Sequence, residues 1–518
     1  MQQDKWAVID IGSNTIRLVI YEIKKGGSYK EKENIKTVAR LRQYLDDENA
    51  MQEEGIELLV SILQGFKEII LFHQVTSIYC VATATIRQSK NQQELVAIVK
   101  ERTGFDVVVY SEQDEAFTGY YAVSHSTPIE TGITIDMGGG STEITYFENR
   151  KLKHYHSFPF GAVTLKEQFM KNDQMTDIER KKLTEYILKC LHKLPWLKNC
   201  NLPIIAIGGS ARNVAQIDQN IKKYPIAGIH QYMMDTSALH SIQTYLRQFS
   251  IPQLEKIDGL SSDRADIIIP AIEAFAQVYE YVDAPFFMFS RRGLRDGISM
   301  KNNKIYSDFP ATDEIISCSI NELLVDYDVN MEHAKHRGFL AKQLFEQISA
   351  YYHFYNEDFY KELVVRGAKL YYLGSYIDDD SSSQHTFYLL ANQSINGLFH
   401  RDRVKLALIA SFKSKTLLKQ YLSSFGDWFS KEEIDTIRVV GAIAKIASAL
   451  DNSKRGLIKN VLMEQTSKEQ LHLSIYYKDN PFVEKYELEK HLRQLEKALR
   501  KSIEVEFILS NDFEFTIS

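Results

Sequence analysis

"DMGGGSTE", residues 136–143, lies within "TGITIDMGGGSTEITYFEN" (131–149), an apolar strand, three glycines and a second strand. Glycine inside a strand costs about 0.5–1 kcal/mol relative to alanine. Such a run therefore marks a place where the backbone must turn tightly or approach something closely. The start of the chain repeats the theme. "WAVIDIGSNTIRLVIYEI" (6–23) holds two β-rich runs around a Gly-Ser-Asn turn and predicts a hairpin. Asp10-Ile11-Gly12-Ser13-Asn14 lies over Asp136-Met137-Gly138-Gly139-Gly140 at an offset of 126 residues (136 minus 10). Both put D-x-G at a turn after an apolar strand, which predicts two similar α/β halves. A third glycine turn, "IIAIGGSARNVA" (204–215), follows a further apolar strand and leads into a helix.

The remaining segments fit around these turns. "IELLVSILQGFKEIILFH" has helical periodicity, and "TSIYCVATATI" and "FDVVVYSE" read as strands. From about residue 306 the texture changes: "YSDFPATDEI" reads as a linker, and amphipathic helices then dominate to about residue 457. "DDDSSS" (378–383) reads as a polar loop among them. The tail alternates again in "EQLHLSIYY" and "IEVEFILS", with the charged helix "EKYELEKHLRQLEKALRKS" between.

A chain of 518 residues exceeds the roughly 250–300 at which single cores stop growing, so several domains are expected. It is 44% hydrophobic and 25% charged, with a mean hydropathy of -0.27, the composition of a soluble protein. No apolar run reaches the ~18–20 residues that span a bilayer, and the first residues enter a strand pattern at once, leaving no room for a signal peptide. Cys80, Cys190, Cys200 and Cys318 lack C-x-x-C spacing, which excludes a zinc knuckle or disulfide framework and points to a reducing cytoplasm. A net charge of -6 argues against a nucleic-acid coat, and neither nucleic acid nor membrane is expected as a partner.

The glycine turns suggest a chemistry. Such turns let backbone N–H groups converge on phosphate oxygens, and two of them in facing halves would clamp a phosphate. Asp10, Asp136 and Glu143 would then share the cleft with it. Two carboxylates about 5 Å apart repel by roughly 3 kcal/mol at an effective dielectric near 20, and a phosphate adds to the conflict. A hard divalent cation resolves it, and oxygen ligands with retained waters favour magnesium. Either turn alone is as readily an ordinary loop; two in matching context, with a third at Gly208-Gly209, carry the reading.

The ordered set "DIGSNTIRL" (10–18), "VATATIRQSKN" (81–91), "SEQDEA" (111–116), "DMGGGSTE" (136–143), "FPFGAVTLKEQF" (158–169), "IGGSARNVA" (207–215) and "GLRDGI" (293–298) resembles the exopolyphosphatase / guanosine pentaphosphate phosphohydrolase family, within the actin-like ATPase superfamily. The resemblance implies two actin-like α/β domains at 1–127 and 128–305. An all-α HD-like domain at 306–457 and a small α/β domain at 458–518 would follow. It implies metal-dependent hydrolysis of a terminal phosphoanhydride of inorganic polyphosphate or guanosine pentaphosphate, with magnesium, a potassium requirement and a homodimer. The family's general base is the glutamate before alanine in S-G-x-E-E-A. Here that motif reads Ser111-Glu112-Gln113-Asp114-Glu115-Ala116, so Glu115 takes the role, while Glu112 and Asp114 depart from the pattern. By position, Gly12, Ser13, Asn14, Gly138, Gly139, Gly140 and Ser141 would donate to phosphate, Arg17 and Arg87 would pair with it, and Gly208, Gly209 and Ser210 would line the cleft. Asp10, Asp136 and Glu143 would hold magnesium.

The helical half lacks the His-Asp doublet of HD phosphohydrolases: "RGAKLYYLGSYI" (366–377) offers Tyr371-Tyr372 in its place. His385 and Asp451 stand as remnants, while His333 and His336 read as surface or packing residues. "FHRDRVKLALIASFKSKTLLK" (399–419), with Arg401, Arg403, Lys405, Lys413, Lys415 and Lys419, is either a basic channel for a polyanion or a solvated face. Three functions stay open: a hydrolase of polyphosphate or guanosine pentaphosphate, a kinase or ATPase on the same fold, and a non-catalytic polyphosphate or alarmone sensor.

Overall fold

Aliphatic and β-branched side chains on both faces of the first two strands build the expected hairpin. β1 (Lys5–Ile11) and β2 (Thr15–Ile23) pair antiparallel. β3 (Tyr29–Val38) adds antiparallel outside β2, while β4 (Ser77–Ala82) and β5 (Val107–Val109) add parallel beyond β1, giving the order β3-β2-β1-β4-β5. The helix Glu53–Phe72 presses Ile56, Leu59, Val60, Leu63, Phe66 and Ile70 into the core of this lobe, a three-and-four spacing. The computed structural model describes residues 5–24, 29–303 and 306–510. It divides into two units, Met1–Ile316 and Ser317–Ser518.

The second lobe of the first unit repeats the plan. β6 (Gly132–Met137), β7 (Thr142–Glu148) and β8 (Lys151–Phe158) form the antiparallel triplet. β9 (Ile204–Ile207), β10 (Tyr232–Met234) and β11 (Phe287–Phe289) complete the order β10-β11-β9-β6-β7-β8, with β9 parallel to β6 and β11 parallel to β9. Removing the edge strand β10 leaves the strand order of the first lobe. The helix Leu294–Asn303 follows the second lobe in the chain but returns to the first. Ile298 joins the cluster of Trp6, Val8, Val19, Tyr21 and Val81, and the Trp6 indole N–H donates to Ser299 Oγ at 3.0 Å. That return carries Arg295 to β1.

The second unit is helical, with Met331–Ser349, Glu357–Lys369, His400–Ala410 and Lys431–Ala449 packed through aliphatic faces. It ends in β12 (Ile458–Ser467), β13 (Gln470–Tyr477) and β14 (Ser502–Leu509). β13 pairs antiparallel with β12 and parallel with β14, and the helix Phe482–Leu499 makes the crossover that a parallel pair requires. The architecture is thus α/β with two sheet-bearing lobes, a helical region and a small C-terminal sheet.

Several details differ from the sequence expectations. The polar loop at 378–383 is shorter, because Ser382 and Ser383 open the helix Ser382–Asn392 and are buried, Ser383 Oγ donating to the Ser411 carbonyl at 2.6 Å. The basic stretch 399–419 is two helices rather than one stripe. Arg403 is fully buried, and Arg401 and Lys405 both pair with the buried Glu433, at 2.6 and 3.3 Å, so Lys413, Lys415 and Lys419 face outward with the half-exposed, already paired Arg401. His336 is no surface residue: its Nδ1 lies 2.8 Å from Asp451 Oδ1 and its Nε2 2.8 Å from the Ile458 carbonyl, while His333 Nδ1 lies 3.8 Å from Asp451 Oδ2. His385 packs against Gly374, away from that pair's partners. Tyr371 and Tyr372 stack at 4.3 Å, and the Tyr371 hydroxyl donates to the Phe412 carbonyl at 2.6 Å, a packing role.

Candidate active site

The two hairpins match down to single hydrogen bonds. Gly12 N–H donates to the Thr15 carbonyl at 3.1 Å, and Gly138 N–H donates to the Ser141 carbonyl at 3.0 Å. Asp10 faces Arg17 across β1 and β2, and Asp136 faces Glu143 across β6 and β7. Directly paired residues share one face of a sheet, so each aspartate and its partner project together.

The glycines of the second turn explain themselves by crowding. A Cβ on Gly139 would stand 3.1 Å from Ser13 Cβ, and one on Gly140 would stand 3.0 Å from Ser13 Oγ, so the turns of the two lobes meet across the cleft. Gly161 lies beneath: its Cβ would fall 2.5 Å from the Gly138 carbonyl, and the N–H groups of Ala162 and Val163 donate to the Gly138 and Gly139 carbonyls. Gly208 adopts φ +92°, a conformation that glycine alone adopts at little cost, with Asp136 Oδ1 3.0 Å from its Cβ position. Gly209 makes room for a guanidinium, since its Cβ would lie 2.2 Å from Arg264 Cζ.

One cavity receives most of the residues singled out in the sequence. Asp10, Gly12, Ser13, Asn14, Arg17, Glu115, Asp136, Gly138, Gly139, Gly140, Ser141, Gly208 and Gly209 line it. Three lie behind its wall. Arg87 pairs with Glu115 at 2.7 Å and donates to the Tyr110 carbonyl at 2.9 Å. Ser210 is fully buried, 3.4 Å from Arg264 Nη1. Glu143 is buried and accepts from Ser157 Oγ at 2.9 Å. The sequence reading missed further cations of the site: Lys36, Arg212, Arg264, Arg291 and Arg295 also line the cavity. Arg212 and Arg295 lie inside the quoted motifs "IGGSARNVA" and "GLRDGI", four residues past Gly208 and two past Gly293, and those offsets were the available signal.

Glu115 occupies the first turn of the helix Glu112–Ser124, whose N-terminus is closed by a capping box between Ser111 and Asp114. The departure at Asp114 therefore has a structural use. The middle of this helix abuts Gly297, whose Cβ would lie 2.2 Å from the Thr118 carbonyl.

Burial pushes Glu115 up to about 7, against the lowering effect of Arg87 and with help from Asp136 and Asp10. Burial and Asp10 push Asp136 up to about 6. Burial raises Asp10, with Arg295 and Arg17 pulling it back, and burial together with Glu115 and Asp136 raises Glu143 well above the ordinary carboxylate range. Burial and the neighbouring Arg295 and Arg212 push Arg17 down to about 10. Burial lowers Arg212 and Arg264 as well, and for Arg212 the charges of Arg295, Arg264 and Arg291 add to it. Carboxylates that resist ionisation and guanidiniums crowded by one another thus share one cavity, with Arg295 3.6 Å from Asp10 and Arg17 paired to Asp10 across the hairpin. A polyanion with a divalent cation satisfies both.

The donor set fits magnesium in a limited sense. Among the described residues no three His, Cys, Asp or Glu side chains converge as a ready coordination shell. Magnesium commonly takes one or two carboxylates and completes its octahedron with waters and substrate oxygens. Asp10 and Asp136 suit that manner of binding, with Glu143 set behind them.

This pairing of glycine-turned hairpins, buried carboxylates and an arginine wall on a duplicated α/β frame defines a phosphate-handling enzyme of two lobes. The sequence model of the Ppx/GppA phosphatase family matches residues 19–304, and that of Ppx/GppA phosphatase domain III matches residues 315–497. The chain belongs to the Ppx/GppA phosphatase family. Among solved structures it is similar to the Ppx/GppA family member of Aquifex aeolicus, at 28% identity and a TM-score of 0.52 over 59% of this chain and 100% of that one. It shares its fold with an exopolyphosphatase from Cytophaga hutchinsonii, at 22% identity and a TM-score of 0.55 over 59% of this chain and 99% of that one. No helix among the described residues is long and apolar enough to cross a membrane.

Proposed function

We propose that this phosphatase is an exopolyphosphatase, releasing orthophosphate from the end of inorganic polyphosphate by attack of water. The observation that carries the reading is one cavity lined by Asp10, Glu115 and Asp136, with Glu143 buried behind them, together with Arg17, Arg212, Arg264 and Arg295. Phosphoryl transfer has a loose transition state, so catalysis consists mainly of positioning and charge stabilisation. The amides of Ser13, Asn14, Gly139 and Gly140, which take no part in the turn-closing bonds, are available to the terminal phosphate. Arg17 stands beside them. Glu115, with a pKa near 7, is matched to accepting a proton from water at neutral pH. Magnesium, when held by Asp10 and Asp136, supplies charge neutralisation for the phosphate oxygens. Arg87 orients Glu115.

The alternative, a guanosine pentaphosphate 5'-phosphatase, would use the same residues on a nucleotide. The lining favours the polymer: Phe289, the aromatic residue among the lining side chains, is 1% exposed and offers no face for a base to stack on. Steady-state phosphate release from long-chain polyphosphate and from guanosine pentaphosphate, with and without magnesium, tests the choice. Polyphosphate should be the better substrate by kcat/KM. Glu115→Gln should lower kcat by a factor on the order of 10²–10⁴, the usual contribution of a general base, while still binding polyphosphate. Exclusive turnover of the nucleotide would overturn the polyphosphate reading. Equal and negligible rates for wild type and Glu115→Gln, with tight binding, would favour a sensor.

A further inference from the structure

Three paired residues form a row across the first sheet. Asp10 on β1 faces Arg17 on β2, and Arg17 faces Lys36 on β3. Strands lie about 4.8 Å apart, so the row runs outward from the proposed hydrolysis point, and Lys36 stands roughly 10 Å from Asp10 along it. The corresponding row of the second lobe, Asp136–Glu143–Ser157, has no cation. Lys36 lines the cavity, but its ammonium is taken. Nζ lies 2.6 Å from Asp263 Oδ2, on the 3-10 turn Ser262–Arg264 of the opposite lobe, with the two side chains 28% and 20% exposed. Two further contacts join the lobes nearby: Arg42 with Glu167 at 3.5 Å, and Arg291 with Glu31 at 3.9 Å. Among the described residues, Lys36 alone both bridges the lobes and continues the row that begins at Asp10.

We propose that Lys36 is a specificity-determining residue that reads substrate length: phosphates beyond those reached by Arg17 displace Asp263 from the ammonium. The inference rests on the polyphosphate reading above. A short substrate ends before Lys36, leaves the ion pair closed and gains nothing from it. A longer chain exchanges one carboxylate for several phosphate oxygens on the same ammonium, and releases a tie between the lobes as it binds. Asp263 therefore acts through Lys36, as a competitor tethered at high local concentration.

The test measures kcat and KM for phosphate release by the full chain, from tripolyphosphate and from long-chain polyphosphate. Wild type, Asp263→Asn, Lys36→Met and the double variant are compared. Asp263→Asn should lower KM for the long chain relative to that for tripolyphosphate by roughly twofold to fivefold, the scale of a partly exposed ion pair. Lys36→Met should raise the long-chain KM without moving kcat. The double variant should match Lys36→Met in the ratio of long-chain to tripolyphosphate KM, because the other effect of Asp263, its charge beside Arg264, is common to both lengths. Equal effects on both lengths, additive effects, or a rise in KM for Asp263→Asn would overturn the proposal. If wild type turns over guanosine pentaphosphate and neither polyphosphate, the polyphosphate reading alone fails. Calorimetric affinities of the same four proteins for the two polyphosphates then decide: the same ordering of Kd supports the length contact, and absent binding or an unchanged ordering refutes it.

Discussion

Arg17 and Glu143 occupy one position in two copies of the same hairpin. Each lies 126 residues from the other in the frame that superposes Asp10 on Asp136 (143 minus 17), and each faces its aspartate across the strand pair. One copy supplies a guanidinium to the cavity, and the other keeps a carboxyl buried behind it.

Glu143→Gln should separate the two roles of that buried carboxyl. The amide keeps an acceptor for Ser157 Oγ and removes the repulsion from Glu115 and Asp136. The protein should gain on the order of 1 kcal/mol in stability, seen as a higher Tm, while half-maximal activity should require more magnesium. An unchanged magnesium titration would remove Glu143 from the proposed metal set.

Arg87 should set the pH at which the enzyme switches on. Its positive charge favours the ionised form of Glu115, so removing it raises the pKa of Glu115. The base then loses its proton only at higher pH, and the acid limb of the kcat/KM profile should move upward by about 1 unit or more in Arg87→Ala. Arg87→Lys should restore part of the shift. A profile that falls in height without moving would make Arg87 a phosphate ligand alone.

Two glycine substitutions should fail in different ways. Gly161→Ala drives a Cβ into the Gly138 and Gly139 backbone at 2.5–2.7 Å, which cannot move without the turn. It should cost several kcal/mol and lower the yield of folded protein. Gly209→Ala meets the end of the flexible Arg264 side chain instead. It should fold with nearly wild-type Tm and lose substrate affinity as the guanidinium swings away. Similar thermal stability for the two would contradict this account.

The helical unit offers a pH test of stability. Burial, with Lys413 and Lys490 nearby, pushes the ammonium of Lys445 down to about 8 from an ordinary 10.5. Between these values the unfolded chain holds more protons than the folded one, so stability should rise as pH increases from about 8 to 10.5. Lys445→Met should flatten that rise and stabilise the protein at pH 7 by roughly 1–3 kcal/mol, after the loss of the Nζ–H bond to the Lys413 carbonyl is counted. Thermal unfolding across the pH range decides it. A lower Tm for the variant at pH 7 would mean that the attraction of nearby Glu487 outweighs burial and the repulsion of Lys413 and Lys490.

Local pattern carried much of this architecture. The D-x-G turns, their spacing and the alternation of the flanking strands were sufficient to place Asp10 and Asp136 at one cavity, because hairpin geometry is short-range. The cationic wall was not legible, since it depends on a helix returning to a lobe it does not follow in sequence. Arg295 reaches within 3.6 Å of Asp10 only because Leu294–Asn303 packs on β1. Arg264 has no turn or period to announce it. The same limit explains the second unit, where the meaning of Arg401 and Lys405 lies in Glu433, about thirty residues on, and that of His336 in Asp451. Charge in a sequence reads as surface until its buried partner is known.

The unlike copies of the hairpin give the interlobe space a sense of direction. On the polyphosphate reading, a linear anion lies along the row of Arg17 and Lys36 with its end at Asp10, where a bound cation screens the carboxylates. Successive turnovers would then shorten the substrate one unit at a time from that end, and bonds in the middle of the polymer would stay clear of the attacking water.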